Sequence, residues 1–290
     1  MFKFVLKTLA LTFCSLTVQA ESSVWKVSLG EESIYIGGTV HLLRHSDFPL
    51  PPEFDIAYKN SDRIFFETDI AALSDPEAQG KLLKSMTAAP GSRIDKLLSP
   101  ETMEKLSDAV SQRGMNVNSL MSFKASMIVT VLQMTELKRL GVNIEGVDAY
   151  FHERAVADGM PVGELETLEQ QLSFLSKMGE GKEEEFVRSS LHDLDELKSM
   201  YEGVVSAWRN GDRKQLEALF ISEMKQDFPE VYEQLLVQRN NNWLPKIKSM
   251  FKEPGTEYIL VGAGHLIGPD GILQRLEKEG YKVTQVKVKP

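Results

Sequence analysis

The chain has 290 residues, 42% of them hydrophobic, with 33 lysines and arginines against 42 aspartates and glutamates and a net charge of −9. That length suits one large domain or a domain carrying an insertion, and the acidic balance argues against a nucleic-acid binder, which needs a basic face. No low-complexity tract, long charge block or Pro/Gly-rich linker divides it.

The first twenty residues, MFKFVLKTLALTFCSLTVQA, set Lys3 and Lys7 ahead of an apolar core from Leu9 to Val18 and end on the small residues Val18 and Ala20. This is the pattern of a cleaved secretory signal. The mature chain is therefore expected to start at Glu21 or Ser22 and to be periplasmic or secreted in a bacterium. The apolar core is shorter than the roughly 20 apolar residues that span a bilayer, and no later segment is longer, so no transmembrane segment is expected in the mature chain. Cys14, the single cysteine, lies in this leader behind a bulky Phe13 that does not suit a lipoprotein cleavage site. The mature chain therefore has no thiol, disulfide or cysteine metal ligand.

Strands are expected at both ends and helices between. VWKVSLGEESIYIGG alternates β-branched and aromatic residues around a Gly30-Glu31-Glu32 turn, a hairpin signal. Ile64 to Phe66 read as a short buried strand with Glu67 at its exit. Ser99 followed by Pro100 caps a helix that should stop at Gly114. A second, from about Ser119 to Lys138, is apolar on much of its circumference (Met121, Phe123, Ile128, Leu132), which marks it as buried. Thr167 and Gln170 make a capping box, so the preceding PVGELE reads as a strand ending at Glu166. Charged helices occupy roughly 182 to 250. EYILVGAGH and YKVTQVKV return the chain to strand, with GPDGILQRLEKEG as a helix between them. The expected fold is α/β: a mixed central sheet built from strands near 24–41, 63–67, 162–166, 258–262 and 281–288, within one domain spanning 21–290 whose residues 70–250 form a large, mainly helical insertion covering the sheet.

One pattern occurs twice. IYIGGTVHLL and YILVGAGHLIG each place glycine, two residues and histidine after an apolar strand, at Gly38 to His41 and Gly262 to His265. Glycine lets the turn be tight and a second group come close, and strand carboxyl ends are where sites assemble in open α/β sheets. His41, Glu67, Glu166 and His265 all stand at such exits. Two imidazoles and one or two carboxylates are the ingredients of a His₂-carboxylate metal site. Either element alone would read as an ordinary loop histidine. FHERA is not a zincin helix, because Val156 stands where the second histidine belongs; His152 is expected on a helix surface, and His45 and His192 in solvent. GAGHLIG is no dinucleotide fingerprint, with Ile267 in place of the third glycine, and no Gly-x-Ser-x-Gly elbow occurs.

In their order, GTVHLL, FFETD, GVDAYFHERA, GELETLEQQLSFL, LLVQRNNNW and VGAGHLIGPDGILQRLEKEGYKV resemble the TraB/GumN family, relatives of the Tiki metalloproteases, with an EreA/ChaN-like fold. The resemblance implies an exported metal-dependent hydrolase of peptidase type, acting on a peptide or polypeptide, with His41, Glu67 and His265 at its centre. His41 and His265 would bind a divalent ion, and Glu67 would complete the coordination or act as general base. The resemblance favours Mn²⁺ or Co²⁺, while nitrogen and oxygen donors also admit Zn²⁺. Arg239 would hold a substrate carboxylate or an oxyanion. Gly38, Gly262, Asp69, Glu166 and Asn240 are supporting positions. The alternative is a periplasmic haem-, iron- or peptide-binding protein without turnover, since ChaN-like relatives include haem or iron binders and two strand-end histidines suit a porphyrin iron. A haem site wants a wide apolar slot and tolerates loss of Glu67; a hydrolase needs that carboxylate.

Overall fold

The computed structural model describes residues 22–142 and 146–288, so the expected leader lies outside the described residues. The chain opens as a hairpin of β1 (Val24–Leu29) and β2 (Glu32–Thr39), turned at Gly30, whose φ of 61° belongs to the left-handed region that glycine enters freely. After α1 (Pro52–Lys59) comes β3 (Arg63–Phe66). The helical span continues as α2 (Pro76–Met86), α3 (Pro100–Gln112), α4 (Ala125–Arg139) and α5 (Val147–Asp158). A short strand, β4 (Val162–Glu164), interrupts it before α6 (Leu168–Ser176) and the long α7 (Glu183–Arg209). Then come α8 (Arg213–Glu217), α9 (Glu223–Asp227), α10 (Pro229–Tyr232) and α11 (Gln238–Met250), with π-helical turns at Ala218–Ser222 and Glu233–Val237 among them. The chain closes with β5 (Glu257–Gly262), α12 (Ile272–Lys278) and β6 (Lys282–Gln285).

The six strands form one mixed sheet in the order β4-β3-β5-β2-β1-β6. β2, β5, β3 and β4 run parallel, with Thr39 beside Gly262, Phe65 beside Ile259 and Phe66 beside Glu164. β1 is antiparallel to both β2 and β6. The expected strands from both chain ends thus share a sheet, although β5 and β6 are not neighbours: α12 carries the chain past β2 to the far edge.

Local signals set most boundaries. Ser99 accepts from the Thr102 backbone at the start of α3, and the Thr167–Gln170 capping box at α6 is formed in both directions. The second expected helix starts later than its apolar pattern suggests. Residues 117–120 form a 3₁₀ turn capped by Asn116, and the Phe123 backbone pairs with Thr87, which holds the chain extended until α4 begins at Ala125. β4 ends at Glu164, yet ladder bonds from Leu165 N to Phe66 O and from Glu166 N to Glu67 O, at 3.0 and 2.9 Å, carry the parallel pairing on to Glu166. His152 is half-buried rather than on the surface, because α5 packs against the sheet and sets that ring edge-on to Phe66 at 5.7 Å.

Two large apolar clusters result, with a small third where Ala78 of α2 meets Leu168 and Leu172 of α6. The larger packs helices on the sheet around Ile36, Phe54, Phe151, Trp208, Trp243 and Tyr258. The smaller lies within the helical span, where Leu106, Val110, Ile128, Leu132 and Val187 join α3, α4 and α7. Among the described residues no helix is long and apolar enough to cross a membrane.

Candidate functional site

The four parallel strands β2, β5, β3 and β4 end along one edge of the sheet, and the four side groups expected at their exits meet there. Glu67, just past β3, is 5% exposed, and its Oε1 accepts from the Gly262 backbone at the end of β5 at 2.7 Å. The same oxygen lies 4.0 Å from His41 Nε2 and 3.9 Å from His265 Nε2. Gly262 makes this approach possible. A Cβ there would sit 3.2 Å from Glu67 Oε1 and 3.3 Å from His41 Nε2, filling the space between them. Gly38 does a different job: a Cβ on it would press on Ala263 at 3.2 Å, so it lets the turn after β5 close down on β2.

Each imidazole is held by its other nitrogen. His41 Nδ1 is 2.7 Å from Asp148 Oδ2, in the first turn of α5. That helix start reaches His41 because Gly146 has no side chain; a Cβ there would overlap the His41 carbonyl. His265 Nδ1 is 2.8 Å from Asn240 Oδ1, and Asn240 Nδ2 donates to the backbone carbonyls of His265 and Asp270. With Nδ1–H given to these acceptors, both rings turn Nε2 towards Glu67.

Behind Glu67 lies a buried ionic group. Arg239 Nη2 donates to Glu67 Oε2 at 2.5 Å and to Glu166 Oε1 at 2.7 Å, Nε donates to both Glu166 oxygens, and Nη1 is 3.0 Å from His265 Nε2. Trp243, one turn on in α11, donates its indole N–H to Glu166 Oε2, and its ring lies 4.4 Å from that of His265. Arg239, expected to face a substrate, instead turns its fork inward onto two glutamates. Asp69 is also placed differently from expectation: it is exposed and caps the next turn by accepting from the Ala72 backbone.

These contacts set the charges. Burial works against ionised Glu67, but Arg239, the two histidines and the Gly262 N–H overcome it and hold that carboxyl well below the usual carboxylate range. Burial dominates at Glu166 and raises it despite Arg239. Burial also lowers His265 to about 3, so that ring is neutral. Asp148 drives His41 the other way, up to about 9; this imidazole is 60% exposed at the mouth of the site.

The same facts test whether a metal ion fits. Among the described residues no three His, Cys, Asp or Glu side chains stand as a ready metal cage. Two donors each about 2.1 Å from a shared ion lie at most about 4.2 Å apart, and both His–Glu67 separations are inside that limit, near its edge. Binding would draw the three groups together and take the His265 lone pair from Arg239. Charge permits it: the Arg239 guanidinium and the His41 imidazolium face the two buried carboxylates, so a divalent ion would take the place of the His41 proton beside Glu67. The donor set of two imidazole nitrogens and a carboxylate oxygen, each imidazole supported from behind, suits a divalent ion.

The site opens into a cavity of about 470 Å³ bordered by His41, Glu67, Arg239 and His265 on the sheet side. Leu137, Leu175, Met200, Phe220 and Leu236 contribute apolar walls from the helices above, and Leu42 adds one from the loop after β2. The helical span thus roofs the strand exits.

Sequence reasoning anticipated the helical cover but missed Asp148 and Trp243 and did not name the residues that line the roof. Trp243 had a usable signal, since it lies four residues beyond Arg239 on one helix and so on the same face. Asp148 had the hydrogen-bonding chemistry but no spacing relation to His41.

A family model described as the TraB/PrgY/gumN family matches residues 23–285, from β1 to β6. The uncharacterized protein YbaP of Escherichia coli (strain K12) is 25% identical over 248 residues, 85% of this chain and 89% of that protein, and the YbaP of Shigella flexneri matches to the same extent. No solved structure matches the chain at a significant level. Since the family match takes in the whole sheet and every strand exit that builds the site, the chain belongs to the TraB/PrgY/gumN family.

Proposed function

We propose that this chain is an exported, metal-assisted hydrolase of peptidase type, with His41, Glu67 and His265 as the residues that hold the ion. The carrying observation is that Glu67 Oε1 lies 4.0 and 3.9 Å from the Nε2 atoms of His41 and His265 at the floor of an open apolar cavity. Resemblance to the Tiki-like enzymes favours Mn²⁺ or Co²⁺, and the donors also suit Zn²⁺. The chemistry such an ion supplies when bound is acidification of a water and polarisation of a scissile carbonyl.

The chain's own groups have separable tasks. Arg239 and the Gly262 N–H keep Glu67 ionised and fixed. The Oε1 atom of Glu67 faces both Nε2 atoms, which places it as a charged ligand; turnover lost with metal retained in Glu67→Gln would instead make it the general base. Asp148 and Asn240 fix the ring orientations of His41 and His265. The helical roof takes up the substrate and excludes bulk water. A haem reading fits less well, because a porphyrin iron ligated by both imidazoles would have to displace the Glu67 carboxylate that stands between them.

The test is cleavage of a mixed peptide library by the purified chain with Mn²⁺, Co²⁺ and Zn²⁺ supplied in turn, for the parent and for His41→Ala, His265→Ala and Glu67→Gln. Cleavage in the parent that is lost in all three variants is expected. Cleavage that persists unchanged in all three would place the reaction elsewhere.

A further inference from the structure

The cavity above Glu67 has a neighbour behind its apolar wall. A second cavity, of about 270 Å³, shares Leu197, Met200, Phe220, Met224 and Leu235 with it. These five residues come from α7, α9 and the two π-helical turns, and all are half-buried. Leu197 belongs to the rim of the smaller apolar cluster, and Phe220, Met224 and Leu235 to the rim of the larger one. These five side chains form an apolar neck at the boundary of the two cavities, along the seam of the two clusters, and Phe220 and Leu235 are placed on it by π turns, a geometry often found at functional sites.

The chemistry of this neck limits what can pass through it. None of its five side chains carries a hydrogen-bonding N–H, O–H or carbonyl group. An extended peptide threaded there would bury backbone amides with no partner, which is costly at every residue. An alkyl chain has no such groups and gains from each methylene it removes from water. Two methionines, unbranched and adaptable, suit a flexible guest.

We infer that the substrate carries a long unbranched acyl chain that lies through this neck while its polar end sits at Glu67. The identification of that end as the reacting one rests on the hydrolase reading; the acyl channel itself does not. The acyl chain can belong to a lipid or to an acylated peptide, and the two are separated by experiment.

Two series are compared below their critical micelle concentrations, N-acyl peptides and lysophospholipids, each with butanoyl, octanoyl and hexadecanoyl chains. Binding is read by calorimetry on the parent, on Glu67→Gln, and on the neck-filling variants Met200→Trp and Met224→Trp, with cleavage measured in parallel. Affinity is expected to rise about two- to fourfold per methylene, to keep that slope in Glu67→Gln, and to fall at least tenfold for the hexadecanoyl members in the neck-filling variants while the butanoyl members are unaffected. Leu197→Ala, which widens the neck, provides a second readout should either tryptophan variant unfold at a lower temperature than the parent: its slope should shift with chain length, not vanish uniformly. A slope in one series alone identifies the source of the chain and supports the channel. Affinity independent of chain length in both series overturns the inference, and peptide cleavage that continues in that case leaves the hydrolase standing. Chain-length-dependent binding without cleavage in any metal does the reverse.

Discussion

Asp148 Oδ2 lies 2.7 Å from Nδ1 of His41, a residue 107 positions earlier in the chain. This one contact turns an exposed histidine into an oriented group, because it fixes which nitrogen carries the proton and leaves Nε2 directed at Glu67. Asp148→Asn keeps the shape and gives up the charge. The His41 pKa should drop from its raised value towards 6.5, readable by proton NMR of the imidazole, and metal affinity, once corrected for the proton that His41 releases, should fall about 10–100-fold in a metal titration.

Gly262→Ala isolates steric crowding from chemistry. The backbone at Gly262 has a φ of −49°, which alanine adopts freely, so the added methyl acts only through its contacts with Glu67 and His41. Metal occupancy and turnover should both fall while the thermal unfolding midpoint stays within a few degrees of the parent. A variant that keeps full metal occupancy would show that the three side chains do not converge on one ion.

Arg239→Met leaves Glu67 and Glu166 buried without their shared cation. Breaking a buried pair in this way costs about 3–5 kcal/mol, and urea unfolding at neutral pH should show a loss of that order. Breaking an exposed pair such as Lys105–Glu101 should give no comparable loss.

Acid should weaken the fold through His265. Burial lowers this ring to about 3 from the 6.5 of an unperturbed histidine, so between those values the unfolded chain takes up a proton that the folded chain does not. Stability then falls as pH drops from 6.5 towards 3, by up to about 1.4 kcal/mol per pH unit for that one proton. Glu67, whose folded pKa is depressed, contributes stability that is present above its unfolded value of 4.5 and lost as pH falls below it. Urea unfolding in the presence of a chelator, at several pH values from 7 to 4, should show a flatter curve for His265→Asn than for the parent.

Strand exits were legible in the sequence because they are marked locally. β-branched runs ending in glycine mark β2 and β5, and the chain then has to present His41 and His265 at the sheet edge; the Thr167–Gln170 capping box marks α6 because both its bonds are local. Contacts made at long range left no such trace. Asp148 sits at a helix start with nothing to say that Gly146 lets that start meet the His41 carbonyl. Arg239 looked like a substrate-facing cation because its residue type suits that role, whereas its direction is set by Glu67 and Glu166, 172 and 73 positions away in the chain. The cavity walls come from elements as distant as Leu42, Leu137 and Leu236, and apolar periodicity shows that a helix has a buried face without showing which space that face borders.

The most direct measurement is the binding of Co²⁺ to the purified chain, monitored by its visible absorption and by the protons released. One ion per chain is expected, with the absorption lost in His41→Ala, His265→Ala and Glu67→Gln. Affinity should tighten as pH rises towards about 9, because His41 must give up the proton that Asp148 stabilises before its Nε2 can bind. A parent chain that binds no ion, or one whose binding is unchanged in all three variants, would contradict a metal centre at Glu67.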